Sequence, residues 1–334
     1  MNMISSKMYP IHKLNSNVTK DLQKIISADI KTNVQKGLQN EIKFIDECSH
    51  ITNVAEIKGT NDNAQVYLSS AFCQFLWLIN DIALKQVDFE IIQDECLKVK
   101  ANISEYKESV ENILKHPEVL YQMEVWHKID VNQYYDYLKR TTQLLDSDEH
   151  NKNIKNDFNL AMSLLDPSKS INIDDFNGIN INGLYEQLVN KIYCYGIAFI
   201  LLHELSHFEL GHLEKNEQEM QDEIDADYTA FWNIYNDLNG RELFSANIGI
   251  LCALFSLLMW NPKMEEDGVH PKESDRIFSI LDLIGNENPK YMVLVDKLFK
   301  LWAKHNKIQG FPYVDHNLNE SLSQIRSFMN NYNS

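Results

Sequence analysis

The chain has no long basic run, no closely paired cysteines, no apolar stretch of bilayer-spanning length and no internal repeat. Each absence closes off a class of protein. With 31 Lys and Arg against 48 Asp and Glu, the formal net charge is −17. Neutralising phosphates takes clustered cations, so nonspecific binding to nucleic acid or to an anionic membrane surface is not expected. The one local concentration of charge is acidic, over residues 214–227. The five cysteines, Cys48, Cys73, Cys96, Cys194 and Cys252, are odd in number and never form a CxxC pair. They read as reduced, buried thiols of a cytoplasmic protein, not as a disulfide framework or a second zinc site. Residues 1–17 mix polar and charged side chains without an apolar h-region, which predicts no signal peptide. The apolar stretches 194–202 and 246–260 fall short of the roughly 20 residues that span a bilayer, and read as buried core helices. The expected protein is soluble and touches no membrane.

What is present can build a sizeable core. The 334 residues are 44% hydrophobic, with 15 Phe and 15 Tyr, which excludes a disordered chain. Helical spacing dominates. Leu22, Ile25, Ile26 and Ile30 predict a helix over 18–48, and Phe72, Phe75, Leu76 and Leu78 another over 69–85. Between them, 54–58 and 64–68 flank Gly59-Thr60-Asn61-Asp62-Asn63 and predict a short β-hairpin. Further helices are expected over 86–115 and 118–146, with Tyr134, Tyr135 and Tyr137 as packing residues. Residues 146–182 are rich in Asn, Asp, Ser and Lys, contain Pro167 and Gly178, and carry one helical patch near 158–165. The expected organisation is a mostly helical region over 1–150, a polar linker or surface loop over 151–182, and a catalytic region over 183–334. Trp302, Phe311 and Tyr313 are expected to close the core of that region. The fold class is mainly α, with a small β-hairpin or sheet and an additional helical N-terminal half that shapes or gates substrate access.

Directly after the apolar run that ends at Leu202 comes His203-Glu204-Leu205-Ser206-His207, an HExxH pentapeptide. A helix turns about 100° per residue, so histidines four apart share one face and can grip one Zn²⁺, leaving room for a third ligand and a water. Glu204, one residue round from His203, is too far to share the metal but near enough to take a proton from that water. The bland alternative is a core helix whose end carries two surface histidines. His212 lies about 180° from His203 on a continued helix. Gly211 is expected to end or loosen that helix, leaving His212 as a surface residue or a support for a ligand.

The third ligand is sought on a second helix. Asn216 and Glu219 read as its capping box, and Glu219, Glu223 and Asp227 recur every four residues on it. Glu223 can serve as the carboxylate ligand. Asp227, one turn later, can accept the other N–H of a zinc histidine and fix its tautomer. An acidic, solvated helix face would also produce the stripe, but would not explain the small Ala226 or the apolar residues from Tyr228 to Trp232.

HELSH followed by Glu223-Ile224-Asp225-Ala226-Asp227 resembles the HExxH…ExxAD signature of the gluzincin metallopeptidases. His270-Pro271-Lys272-Glu273-Ser274-Asp275-Arg276-Ile277 is similar to the HPxxxxRI element downstream in several of these families, although Pro271 and Glu273 would also suit an ordinary helix start. Fifteen residues separate His207 from Glu223, far fewer than in the membrane-embedded members that share these elements. Among soluble intracellular gluzincins the chain is most similar to the Lit-type phage-exclusion peptidases, which cleave a host translation factor. The resemblance implies that His203, His207 and Glu223 bind zinc and that Glu204 is the base. It further implies that His270 stabilises a developing oxyanion and that Arg276 pairs with a motif carboxylate. The partner would be a protein or peptide substrate, with room for a protein activator or inhibitor. Two rival expectations stand beside it: a non-catalytic, metal-stabilised binding protein, and a zinc peptidase that cleaves a regulatory repressor. A closed structural zinc site would need no adjacent base, so Glu204 counts against the first.

Overall fold

The computed structural model describes residues 43–45, 54–58, 65–98, 103–115, 147–166, 184–212, 219–236, 238–260, 270–285, 289–314 and 317–332, with a few isolated positions besides. Among them the protein is mainly helical. Three short strands, β1 (Lys43–Ile45), β2 (Ala55–Lys58) and β3 (Gln65–Ser69), form one sheet. The strand order is β1-β3-β2, with β3 parallel to β1 and antiparallel to β2. The β2–β3 pairing, Ala55 opposite Leu68 and Lys58 opposite Gln65, realises the expected hairpin. β1 is a correction: its three residues lie where the end of a helix over 18–48 was expected. The rest of that expectation, the helix over 118–146 and its tyrosines lie outside the described residues.

Helices α1 (Ser70–Lys98), α2 (Ile103–Lys115) and α3 (Ser147–Ser163) follow. Ser69 caps α1, its Oγ accepting the Phe72 amide at 3.3 Å, which satisfies one of the amides a helix start leaves unpaired. α1 runs on through 86–98, where the sequence suggested a new helix. α3 takes up the first part of the expected 151–182 linker; Ile154, Phe158 and Ala161 supply a buried stripe within its polar sequence.

Two compact units divide the chain, one of Met1–Asp81 with Leu160–Ser334 and the other of Ile82–Asn159. In the second, Lys85 pairs with Asp157 at 2.8 Å, and Phe89 stacks on the buried His150 with ring centroids 4.3 Å apart. The first unit carries the remaining helices, α4 (Leu184–Glu209), α5 (Met220–Tyr235), α6 (Gly240–Trp260), α7 (Glu273–Ile284), α8 (Pro289–His305) and α9 (Leu318–Asn331).

α4 is the central helix of this unit, packed chiefly against α5 and α6. Its apolar run buries Ile192, Tyr193, Ile197, Phe199 and Leu201 almost completely, as suits a helix with neighbours all round. α6 crosses it at a glycine pair. A Cβ on Gly249 would overlap the Ile192 carbonyl and stand 2.9 Å from the Gly196 amide nitrogen, so the two backbones meet where neither helix has a side chain. At 26 and 21 residues these helices are much longer than their apolar stretches suggested. Both are long and apolar enough to cross a membrane by length and composition, and both are mostly buried within the fold. Farther out, Phe299 of α8 stacks on Phe278 of α7 at 5.3 Å and meets Phe255 of α6 edge-on at 4.8 Å. Trp302 and Phe311 are buried as expected, whereas Tyr313 is exposed.

Candidate metal centre

The end of α4 and the start of α5 bring the motif residues together. α4 stops at Glu209, and Gly211 takes φ +73°, a left-handed conformation that glycine adopts without penalty. α5 starts at Met220. The expected capping box is displaced by three residues: Glu219 is the N-cap, and its amide donates to Asp222 Oδ2 at 3.0 Å. α5 buries Glu223, Ala226, Asp227 and Ala230 on one face. Its two alanines leave little side chain between the helices, so the carboxylates on this face reach the histidines of α4.

His203 Nε2 and His207 Nε2 lie 3.2 Å apart. Glu223 straddles them, Oε2 being 3.2 Å from His203 Nε2 and Oε1 3.2 Å from His207 Nε2. All three side chains are buried, and the group could hold a metal ion. A tetrahedral zinc ion with bonds of about 2.0–2.1 Å separates its ligand atoms by about 3.3 Å, close to the 3.2 Å between the two imidazole nitrogens, and a Glu223 oxygen lies 3.2 Å from each of them. Among the described residues the group consists of two imidazoles and a carboxylate.

Around this triad the charges alternate. Asp227 Oδ1 stands 2.9 Å from His203 Nδ1, a close charge pair with the ring N–H off the straight line to the oxygen. The Arg276 guanidinium, from the first turn of α7, grips the same carboxylate with Nε–Oδ2 at 2.6 Å and a terminal nitrogen 2.7 Å from Oδ1. Burial alone would lower the His203 pKa, but the Asp227 and Glu223 carboxylates outweigh it and raise it to about 9. Burial would raise Glu223, yet the two histidines hold it well below the usual carboxylate range. Asp227 is drawn down against its burial, by Arg276 and then His203, to about 2. Glu204 goes the other way: burial first, with Glu223 adding, pushes its pKa up, while the charges of both histidines and Arg276 oppose the rise. A carboxyl displaced upward from its normal value is suited to accept and return a proton near neutral pH.

His270 is half-exposed, its Nε2 3.7 Å from Glu223 Oε1. α7 begins at Glu273, so Pro271 precedes the helix and does not occupy its first position. The structure therefore gathers His203, His207, Glu223, Asp227, Arg276 and His270 about one point, with Glu204 in the field of the same charges. His212 also belongs here, as the second of the two expectations for it had it, beside a ligand histidine and not on the surface. Its ring is buried, and its Nδ1 is 3.0 Å from His207 Nδ1. Its Nε2 faces Asp222 Oδ1 at 3.3 Å, and Lys215 pairs with that same carboxylate. Burial lowers the His212 pKa, and Lys215 holds Asp222 below its ordinary value. The sequence signal was Gly211, whose left-handed turn folds His212 back onto α4.

The site is thus a buried His-His-carboxylate group on two packed helices, able to hold a metal ion, with a glutamate beside the first histidine. The family described as Peptidase U49 matches residues 66–295, from the sheet through the site to α8, and the chain belongs to that family. The protein is therefore a peptidase, and its substrate a protein or peptide. Compared with curated proteins and with solved structures, the chain has no match.

Proposed function

We propose that the protein is a zinc-dependent endopeptidase of the cytoplasm with a narrow protein target, akin to the Lit-type peptidases that act in phage exclusion. The observation that carries this reading is the buried group of His203, His207 and Glu223, in which the two Nε2 atoms lie 3.2 Å apart and each faces one Glu223 oxygen at 3.2 Å. A zinc ion held there would lower the pKa of a water from about 15.7 towards about 7 and polarise the scissile carbonyl. Glu204 removes the water's proton and delivers it to the leaving amine. His270, half-exposed at the edge of the site, donates to the oxygen on which negative charge develops. Asp227 and Arg276 keep His203 in place. Cys252 is a buried free thiol, which favours a reducing compartment. A protease among the cell's own proteins needs restraint, and a narrow target or an activator supplies it.

The test compares the parent with Glu204→Gln. The parent should digest casein negligibly and arrest growth when activated in cells, and Glu204→Gln should abolish the arrest while keeping the bound metal. Rapid, promiscuous casein digestion would count for a housekeeping protease, and undiminished arrest by the variant for a non-catalytic binding protein.

A further inference from the structure

A histidine ligand holds a metal well only if its other ring nitrogen is fixed, because the hydrogen bond made there sets the tautomer and the ring plane. For His203 the fixing group is Asp227, but among the described residues no carboxylate or backbone oxygen stands against Nδ1 of His207. His212 Nδ1 lies there instead, at 3.0 Å. The rings meet at 66° with centroids 5.2 Å apart, so the approach is edge-on and not a stack. His212 is held from its far side: its Nε2 is 3.3 Å from Asp222 Oδ1, and Asp222 is anchored by Lys215 and by the Glu219 amide. The side chains of His212 and Asp222 are 5% and 3% exposed, so water does not readily replace either contact.

We infer that His212 is a positioning residue for the metal centre, passing the anchoring of Asp222 through a neutral imidazole to the ligand His207. The inference rests on metal binding at His203, His207 and Glu223. Hydrogen-bond bookkeeping fixes the arrangement. To ligate through Nε2, His207 carries its proton on Nδ1, and that N–H donates to His212 Nδ1. His212 must then present a bare Nδ1 and carry its single proton on Nε2, facing Asp222. An imidazolium at position 212 would put two N–H groups against each other. The arrangement is a His–His–Asp chain beside the metal, whereas His203 uses a carboxylate directly.

Two measurements on the full-length protein test this. Zinc dissociation constants, measured by chelator competition, are compared for the parent, His212→Phe and His212→Asn. Phe keeps a ring of similar size but has no acceptor, and should weaken binding about 10–100-fold. Asn places an amide oxygen near the lost Nδ1 and should recover most of that loss, which a purely packing role would not predict. Parent-like affinity in His212→Phe, or equal losses in both variants, overturns the inference. Should a variant fail to fold, nitrogen-resolved NMR of the zinc-loaded parent decides instead. His212 is expected as the Nε2–H tautomer, and an Nδ1–H or doubly protonated ring overturns the inference. If His203→Ala leaves zinc affinity unchanged, the metal site itself is wrong, and this outcome is distinct from those at position 212.

Discussion

Asp227 is the most exposed test of how the fold holds the site, because it answers two groups at once. Its carboxylate lies 2.9 Å from His203 Nδ1 and takes two Arg276 nitrogens at 2.6 and 2.7 Å. Both side chains of the Asp227–Arg276 pair are under 10% exposed, at 6% and 9%. Replacing Asp227 by Ala leaves a guanidinium buried without its main counter-charge. Breaking a buried pair in this way costs about 3–5 kcal/mol, much more than losing a surface pair. Arg276→Met alone should be costly too, but the double variant removes both charges and should lose far less than the two single losses combined. Denaturant unfolding of the four proteins, free of metal, gives the coupling. Zinc affinity gives the second readout: Asp227→Asn, which keeps the shape and one acceptor oxygen, should weaken binding about 10–100-fold by freeing the His203 ring. Additive stability losses would show that the pair is not a closed electrostatic unit. Parent-like zinc affinity in Asp227→Asn would show that His203 is oriented by other means.

Zinc loading should depend on pH through His203, whose pKa is raised to about 9. The imidazolium persists below that value, so each metal bound displaces a proton and affinity should rise about tenfold per pH unit up to about 9. A pH-independent constant between about 6 and 8 would refute this. In the metal-free protein the raised value adds stability that is fully present below the reference value of 6.5 and lost as pH rises through about 9. Gly249→Ala should destabilise by about 1–3 kcal/mol, because the added methyl meets the backbone of α4 and not a flexible side chain. An unchanged unfolding midpoint would mean that α4 and α6 can separate at no cost.

The grouping of His203, His207, Glu223 and Asp227 was legible in the sequence because its signals are local. HExxH fixes its own geometry once helical, and the spacing of Glu223 and Asp227 puts both on the face of α5 that meets α4. Arg276 could be connected to a motif carboxylate only by resemblance, since the 48 residues between it and Asp227 carry no register. Two features escaped for physical reasons. Lys43–Ile45 joins the sheet by parallel pairing with β3, a long-range bond that a local helical pattern does not report. The polar run after residue 146 forms α3 because Ile154, Phe158 and Ala161 bury one stripe, which outweighs the composition of the rest. His212 was legible only as a choice between a surface residue and a support for a ligand once Gly211 ended the helix, and Gly211 at φ +73° returns its ring to His207.

The central claim is that His203, His207 and Glu223 together hold one zinc ion. Metal analysis of protein purified without affinity chelators tests it most directly. The account predicts about one Zn²⁺ per chain in the parent and in Glu204→Gln, and essentially none in the His203→Ala, His207→Ala double variant. Full zinc occupancy in that double variant would contradict the account.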